Sequence, residues 1–259
     1  LGVITAAVCK LFPIPRSVET ALIAVPGVAQ AVALLPRLRT ASFDQLTAFE
    51  LLPRIGLDFA LKHIPGSRDP FAATHPWYVL IELSSGQAPT GIRAMLETAL
   101  ESAADDALVT DAVIAESAAQ SKALWALREN LSEVQKLEGG SIKHDISVPI
   151  PAMANFIARA SEAVTHALPG IRPVPFGHIG DGNVHFNLSQ PVGMDSGAYM
   201  AQWDSFNRIV HDIAASLGGS ISAEHGLGYM KRDEIRRYKS PVEIEMMRAE
   251  SCSMWRLSH

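Results

Sequence analysis

The segment Gly177-His178-Ile179-Gly180-Asp181-Gly182-Asn183-Val184-His185-Phe186-Asn187 constrains the fold most, because its glycines and its Asp-Gly pair admit few backbone paths. An Asp-Gly pair between short runs predicts a two-residue hairpin turn at Asp181-Gly182. In that register Gly180 faces Asn183, Ile179 faces Val184 and His178 faces His185. Opposed residues of an antiparallel pair share a face with Cβ atoms about 5 Å apart, so two imidazoles can reach one ion at about 2.0–2.1 Å each. Asn187 falls on the same face, two residues further along. Taken alone, the segment is equally well explained as a plain hairpin with two incidental histidines.

A second run, Ala223-Glu224-His225-Gly226-Leu227-Gly228, shifts that balance. Neighbours on a regular strand point to opposite faces, but Gly226 and Gly228 predict a tight bend where strand gives way to loop. Glu224 is read as the third metal ligand and His225 as the free base. Two histidines, one carboxylate and an open position form the ligand set of a catalytic divalent site, zinc first and manganese or iron next.

With 259 residues, 48% of them hydrophobic, the chain can build one large domain or two small ones. A formal charge of −5 argues against nucleic acid or an anionic membrane as partner, since both reward clustered Lys and Arg. An anionic substrate must therefore be met by local positive charge. The two cysteines, Cys9 and Cys252, suggest neither a disulfide framework nor a thiolate metal site, and a reducing compartment is the default. No apolar run approaches the roughly 18 residues that span a bilayer. The opening, Leu1-Gly2-Val3-Ile4-Thr5-Ala6-Ala7-Val8-Cys9-Lys10-Leu11-Phe12, lacks an initiator Met and the layout of a signal peptide. It reads as a β-branched strand entered midway, in a piece of something longer.

Residues 17–38, broken by Pro26-Gly27, and then residues 42–52 read as helix followed by strand. The run Trp77-Tyr78-Val79-Leu80-Ile81-Glu82-Leu83 reads as a buried strand, 91–103 as a helix and 107–115 as a strand. Over 118–137, Leu124, Leu127, Leu131 and Val134 recur at helical spacing, and Gly139-Gly140 marks the end. Arg128 and Ser132, four apart, are then neighbours on one flank. Residues 141–149 alternate Ile142, His144, Ile146 and Val148 against Lys143, Asp145 and Ser147, so Lys143 shares a face with Asp145. Phe156, Ile157, Ala160 and Val164 mark a further helix. Tyr199, Trp203, Phe206, Val210, Ile213 and Leu217 mark another, with His211 a passenger in core packing. The basic residues Lys231, Arg232, Arg236 and Arg237 read as a solvated helix face. The predicted class is α+β, built from ferredoxin-like split β-α-β modules with a largely antiparallel sheet covered by helices. A doubly wound parallel sheet is disfavoured because no glycine-rich dinucleotide fingerprint follows a strand.

His178-x-Gly180-Asp181-Gly182-Asn183-x-His185 with Glu224-His225-Gly226-x-Gly228 resembles the C-terminal substrate and cap domain of FAD-linked oxidases acting on D-2-hydroxy acids. That family includes D-2-hydroxyglutarate dehydrogenase, D-lactate dehydrogenase and the glycolate oxidase D subunit. The opening Leu1-Gly2-Val3-Ile4-Thr5 is similar to the end of the family's flavin-binding domain. The resemblance therefore implies a remnant of that domain over 1–16, with Ile4 and Thr5 beside the cofactor, and the substrate and cap domain over 17–249. The tail over 250–259 departs from the family pattern.

The resemblance also implies roles. His178, His185 and Glu224 hold a divalent ion, His225 contacts the substrate and removes its 2-hydroxyl proton, and FAD receives the hydride. Arg128 and Lys143 receive substrate carboxylates, which suits a planar guanidinium and a flexible ammonium. Ser132 presents a hydroxyl to substrate, Asn187 orients it, Asn183 approaches the flavin edge, and Asp181 is a turn residue. The implied partners are a small 2-hydroxy acid and a flavin-binding domain that holds most of the FAD. A homodimer is one assembly open to the chain, and the electron acceptor is left open. The implied location is the cytoplasm, or the mitochondrial matrix in a eukaryote. Two other classes stay in play: a stand-alone metallohydrolase, and a truncated remnant that has lost catalysis.

Overall fold

Ser17–Val25 is a strand, β1, rather than the helix expected there. Residues 21–25 are apolar and fully buried, as a strand covered on both faces requires, and the Pro26-Gly27 pair ends it. The computed structural model describes residues 4–11, 13–86, 91–229 and 231–257. They fall into two units, Ile14–Ala223 and a second made of Leu1–Pro13 with Glu224–His259.

In the first unit, α1 (Val28–Ala41) carries the chain from β1 to β2 (Leu46–Pro53), and α2 (Arg54–His63) leads to β3 (Trp77–Ser85). α3 (Ile92–Asp105) then leads to β4 (Asp111–Ile114). The strands pair antiparallel in the order β2-β3-β1-β4. This is the ferredoxin-like split β-α-β arrangement, with α2 as an addition. Ile23, Phe49, Val79 and Ile81 turn one face toward α1 and α3. Leu22, Leu52, Tyr78 and Leu80 turn the other toward α2 and toward α4 (Ala118–Glu129).

The helix expected over 118–137 is three pieces: α4, α5 (Leu131–Val134) and a 3-10 turn, Gln135–Glu138. Asn130 makes the break, because its side-chain amide donates to the Ala126 carbonyl at 2.8 Å and competes with the helical ladder. A second sheet follows, made of β5 (Ser141–Ile142), β6 (Asp145–Ser147), β7 (Arg172–Phe176) and β8 (Asn183–Ser189). β8 is central, with β5 and β6 along one side and β7 along the other. The alternation expected over 141–149 breaks at Lys143-His144. His144 turns inward, with Nδ1 2.8 Å from the Phe186 carbonyl, and Asp145 is also buried while Lys143 is exposed. Lys143 and Asp145 therefore do not share a face.

α6 (Met153–Ala167) covers this sheet together with α8 (Trp203–Ser216). The helix expected over 199–217 is split, since Tyr199 belongs to α7 (Ser196–Met200), where its hydroxyl donates to Leu188 O at 2.8 Å. His211 is buried in α8 with its ring edge-on to His144. The two sheets meet where Leu51 and Gly177 exchange backbone hydrogen bonds of 2.9 and 3.1 Å, which covers the open edge of β2.

The second unit contains α9 (Ile235–Tyr238) and α10 (Pro241–Leu257). Only Ile235–Tyr238 of the basic stretch is helical; residues before it form turns, and the Arg232 guanidinium lies over the Tyr229 ring at 5.6 Å. Residues 4–11 carry no strand, contrary to the reading of the opening run, and Ile4, Val8 and Leu11 are exposed. Leu1, Gly2, Val3 and Phe12 of that run, and Ser258 and His259 of the tail, lie outside the described residues. Among the described residues no helix is long and apolar enough to cross a membrane.

Candidate metal and anion site

The chain between β7 and β8 does not make the two-residue turn expected at Asp181-Gly182. The ladder pairs Phe176 with His185 and Val174 with Asn187, so His178 is not opposite His185. Gly177, with φ +138°, leaves β8 to pair with Leu51 of the first sheet. Residues Ile179–Asp181 then form a 3-10 turn, and the His178 carbonyl accepts from Asp181 N–H at 3.0 Å and Asn183 N–H at 3.2 Å. Asp181 is thus a turn residue, as expected. Gly182 returns the chain with φ +77°, and its carbonyl accepts the Val148 N–H at 2.9 Å.

This wider path still brings the two imidazoles together. The rings of His178 and His185 have centroids 6.5 Å apart, and each offers a ligand nitrogen within 4.8 Å of the other's. His185 sits on the face of β8 that carries Asn187 and Ser189, because Val184, Phe186 and Leu188 fill the core on the other. The Phe176 ring flanks it at 5.3 Å.

Glu50 of β2, which no motif marks, is 2% exposed and joins two of the predicted residues. Its Oε2 accepts from Arg128 Nε at 2.7 Å, and its Oε1 lies 3.0 Å from His178 Nε2. The guanidinium carbon of Arg128 is 5.0 Å from the centre of the Phe176 ring. A cavity of about 260 Å³ opens beside this group, lined by Leu35, Phe49, Glu50, Trp125, His178 and Asp181 among others. The only sequence signal for Glu50 is its place as a lone charge in Phe49-Glu50-Leu51-Leu52.

Asn187, Gln135 and Ser189 form a buried polar relay. Asn187 donates to Gln135 Oε1 and Gln135 donates to Ser189 Oγ, both at 2.9 Å. Gln135 was also invisible in the sequence pattern. Lys143 meets Ser132 through the Ser132 backbone carbonyl, 3.3 Å from Nζ, rather than through its hydroxyl. Partial burial, then the nearby Lys136, lowers the Lys143 pKa below that of an ordinary lysine. The amide oxygen of Asn183 is buried with no hydrogen-bond partner among the described residues.

Glu224, His225, Ile4 and Thr5 belong to the second unit. Residues 223–225 are bends rather than strand, and Gly226 and Gly228 follow with φ of +67° and +53°, so the local bend is as expected. Ile4 and Thr5 are exposed.

The sequence matches the family described as "FAD linked oxidases, C-terminal domain" over residues 14–249. D-2-hydroxyglutarate dehydrogenase of Xanthomonas citri pv. viticola is 34% identical over 248 residues, which are 96% of this chain and 51% of that protein. Mitochondrial D-2-hydroxyglutarate dehydrogenase of Arabidopsis thaliana is 33% identical over 95% of this chain and 43% of its own length. The chain thus spans about half the length of the curated relatives it matches. Among solved structures, p-cresol methylhydroxylase with substrate bound is similar over 90% of this chain and 50% of its own, at a TM-score of 0.58 and 11% identity. Alkyldihydroxyacetonephosphate synthase is similar over 87% of this chain and 44% of its own, at 0.57 and 15%. At such identities the likeness is one of fold.

Proposed function

The chain belongs to the FAD-linked oxidase C-terminal domain family, and on that premise we propose that it is the substrate-oxidising portion of an FAD-dependent dehydrogenase of D-2-hydroxy acids, assisted by a divalent metal, zinc before manganese or iron. The observation that carries this reading is the pairing of His178 with His185, one of them backed by a carboxylate that also holds Arg128.

The donor set is one a zinc ion takes: two imidazole nitrogens lie within 4.8 Å of each other, and they would close to roughly 3.4 Å on a tetrahedral ion that both bind at about 2.0–2.1 Å. Glu224 is the third ligand in this reading. Its chain neighbour Ala223 donates its N–H to Asp145, and Asp145 stands directly opposite His185 in the ladder. A divalent ion held there would lower the pKa of the substrate hydroxyl, and the flavin would supply the acceptor for the hydride from C2.

The chain's own residues do the rest. His225 removes the 2-hydroxyl proton at its imidazole. Arg128 binds a substrate carboxylate: Nε is committed to Glu50, and its terminal nitrogens have no hydrogen-bond partner among the described residues. Lys143 binds a second carboxylate, with Ser132 beside it. Two cations favour a dicarboxylate over lactate or glycolate, in keeping with relatives named for D-2-hydroxyglutarate. Asn187, its amide held by Gln135, orients the substrate. The buried amide oxygen of Asn183 is available to the flavin edge, and Ile4 and Thr5 are read as further cofactor contacts. A separate flavin-binding domain supplies most of the FAD contacts. The proposed setting is the cytoplasm, or the mitochondrial matrix in a eukaryote.

The test is turnover of D-2-hydroxyglutarate with the flavin-binding domain in place. His225→Ala should lower kcat by about 10²–10⁴-fold while leaving metal content unchanged. Unchanged kcat removes His225 as the base.

A further inference from the structure

We propose that Glu50 is the positioning residue of this site: one buried carboxylate that sets the metal-binding face of His178 and, through its other oxygen, aims the Arg128 guanidinium. The inference rests on the reading of His178 as a metal ligand.

Glu50 occupies a strand position where stability alone favours an apolar side chain. Phe49, Leu51 and Leu52 around it are all buried, and a carboxylate placed among them is costly unless both oxygens are paired. Both are: Oε2 accepts from Arg128 Nε at 2.7 Å, and Oε1 meets His178 Nε2 at 3.0 Å. A neutral imidazole carries its hydrogen on one nitrogen only. A carboxylate at Nε2 holds the hydrogen there and gives Nδ1 the lone pair that a metal needs.

The same carboxylate fixes the guanidinium over the Phe176 ring, and Phe176 is the ladder partner of His185. One side chain thereby holds in register a ligand of the metal and the receiver of the substrate's carboxylate. Loss of Glu50 should weaken metal binding and loosen the anion receiver together. An apolar replacement would leave the Arg128 charge buried without its partner.

The experiment is a zinc competition titration of the 259-residue chain against a chromogenic chelator at one fixed pH. Variants Glu50→Gln, His178→Ala and Glu138→Gln are compared with the unaltered chain. Glu138 is a comparably buried carboxylate paired with Lys62, His63 and Arg172, so its loss controls for destabilisation alone. Glu50→Gln should bind zinc about 10–100-fold more weakly, while Glu138→Gln melts earlier but binds zinc normally. Normal zinc affinity in Glu50→Gln, alongside weakened binding in His178→Ala, overturns the role of Glu50 and leaves the metal reading standing. An unaltered chain that binds no zinc, or His178→Ala that binds it as tightly, sinks the metal reading and this inference with it. Should Glu50→Gln fail to fold, imidazole nitrogen NMR of the unaltered, zinc-free chain decides. Hydrogen on Nε2 of His178 supports the proposal, and hydrogen on Nδ1 overturns it.

Discussion

A methyl group at Gly182 would stand 2.5 Å from the Val148 carbonyl oxygen, and the residue's φ of +77° disfavours any L side chain. Gly182→Ala should therefore cost about 2–4 kcal/mol in urea denaturation, combining left-handed backbone strain with a backbone clash. Gly66 has the same φ with nothing within 4 Å, so Gly66→Ala should lose only about 1–2 kcal/mol. Equal losses at the two positions would show that the close approach to Val148 carries no weight. The need for glycine at 182 was legible in the sequence, because an Asp-Gly pair announces a reversal. Glu50 was not legible. Nothing in a run of apolar strand residues says that its one carboxylate will meet an arginine 78 positions away and a histidine from the β7–β8 connection.

At the scale of elements, the residues forming the β7–β8 connection were foreseen but its path was not. Local turn chemistry predicted a two-residue hairpin, and the tertiary pairing of Gly177 with Leu51 drew the chain outward and lengthened the loop. The break at Asn130 has the same character, since a side-chain bond to Ala126 overrides a continuous apolar stripe. Glu138, at the end of the 3-10 turn that follows, ties that turn to α2 and β7. Burial raises its pKa, but hydrogen bonds from Lys62, Arg172 and His63 outweigh it and hold the carboxyl at about 2 instead of 4.5. A carboxylate depressed in the folded state stabilises the fold above its ordinary range and loses that contribution as pH falls from about 4.5 through about 2. The contribution is on the order of 3 kcal/mol, reduced by whatever pairing persists in the unfolded chain. Chemical denaturation from pH 6 to pH 2 should show this loss, and Glu138→Gln should flatten the curve over that interval. An unchanged slope in the variant would mean that other carboxylates drive acid unfolding.

For the molecule as a whole, the alternation of strands and helices foretold an α+β fold with split β-α-β units, and the β2-β3-β1-β4 order has that form. The order itself was not legible, because strand adjacency depends on long-range packing that a local pattern does not encode. The family was legible from spaced histidines, glycines and one Glu-His pair, and the match over residues 14–249 agrees. The roles proposed for Arg128 and Lys143 were legible only through the resemblance, since Arg128 by periodicity alone is one more flank residue of a helix. The central claim, that His178, His185 and Glu224 form one metal site, is tested most directly by elemental analysis of the chain after dialysis against trace zinc. One zinc per chain is predicted, falling to none in both His185→Ala and Glu224→Ala while each variant keeps its folded circular dichroism. A folded, unaltered chain that retains no zinc, or variants that retain it fully, would contradict the claim.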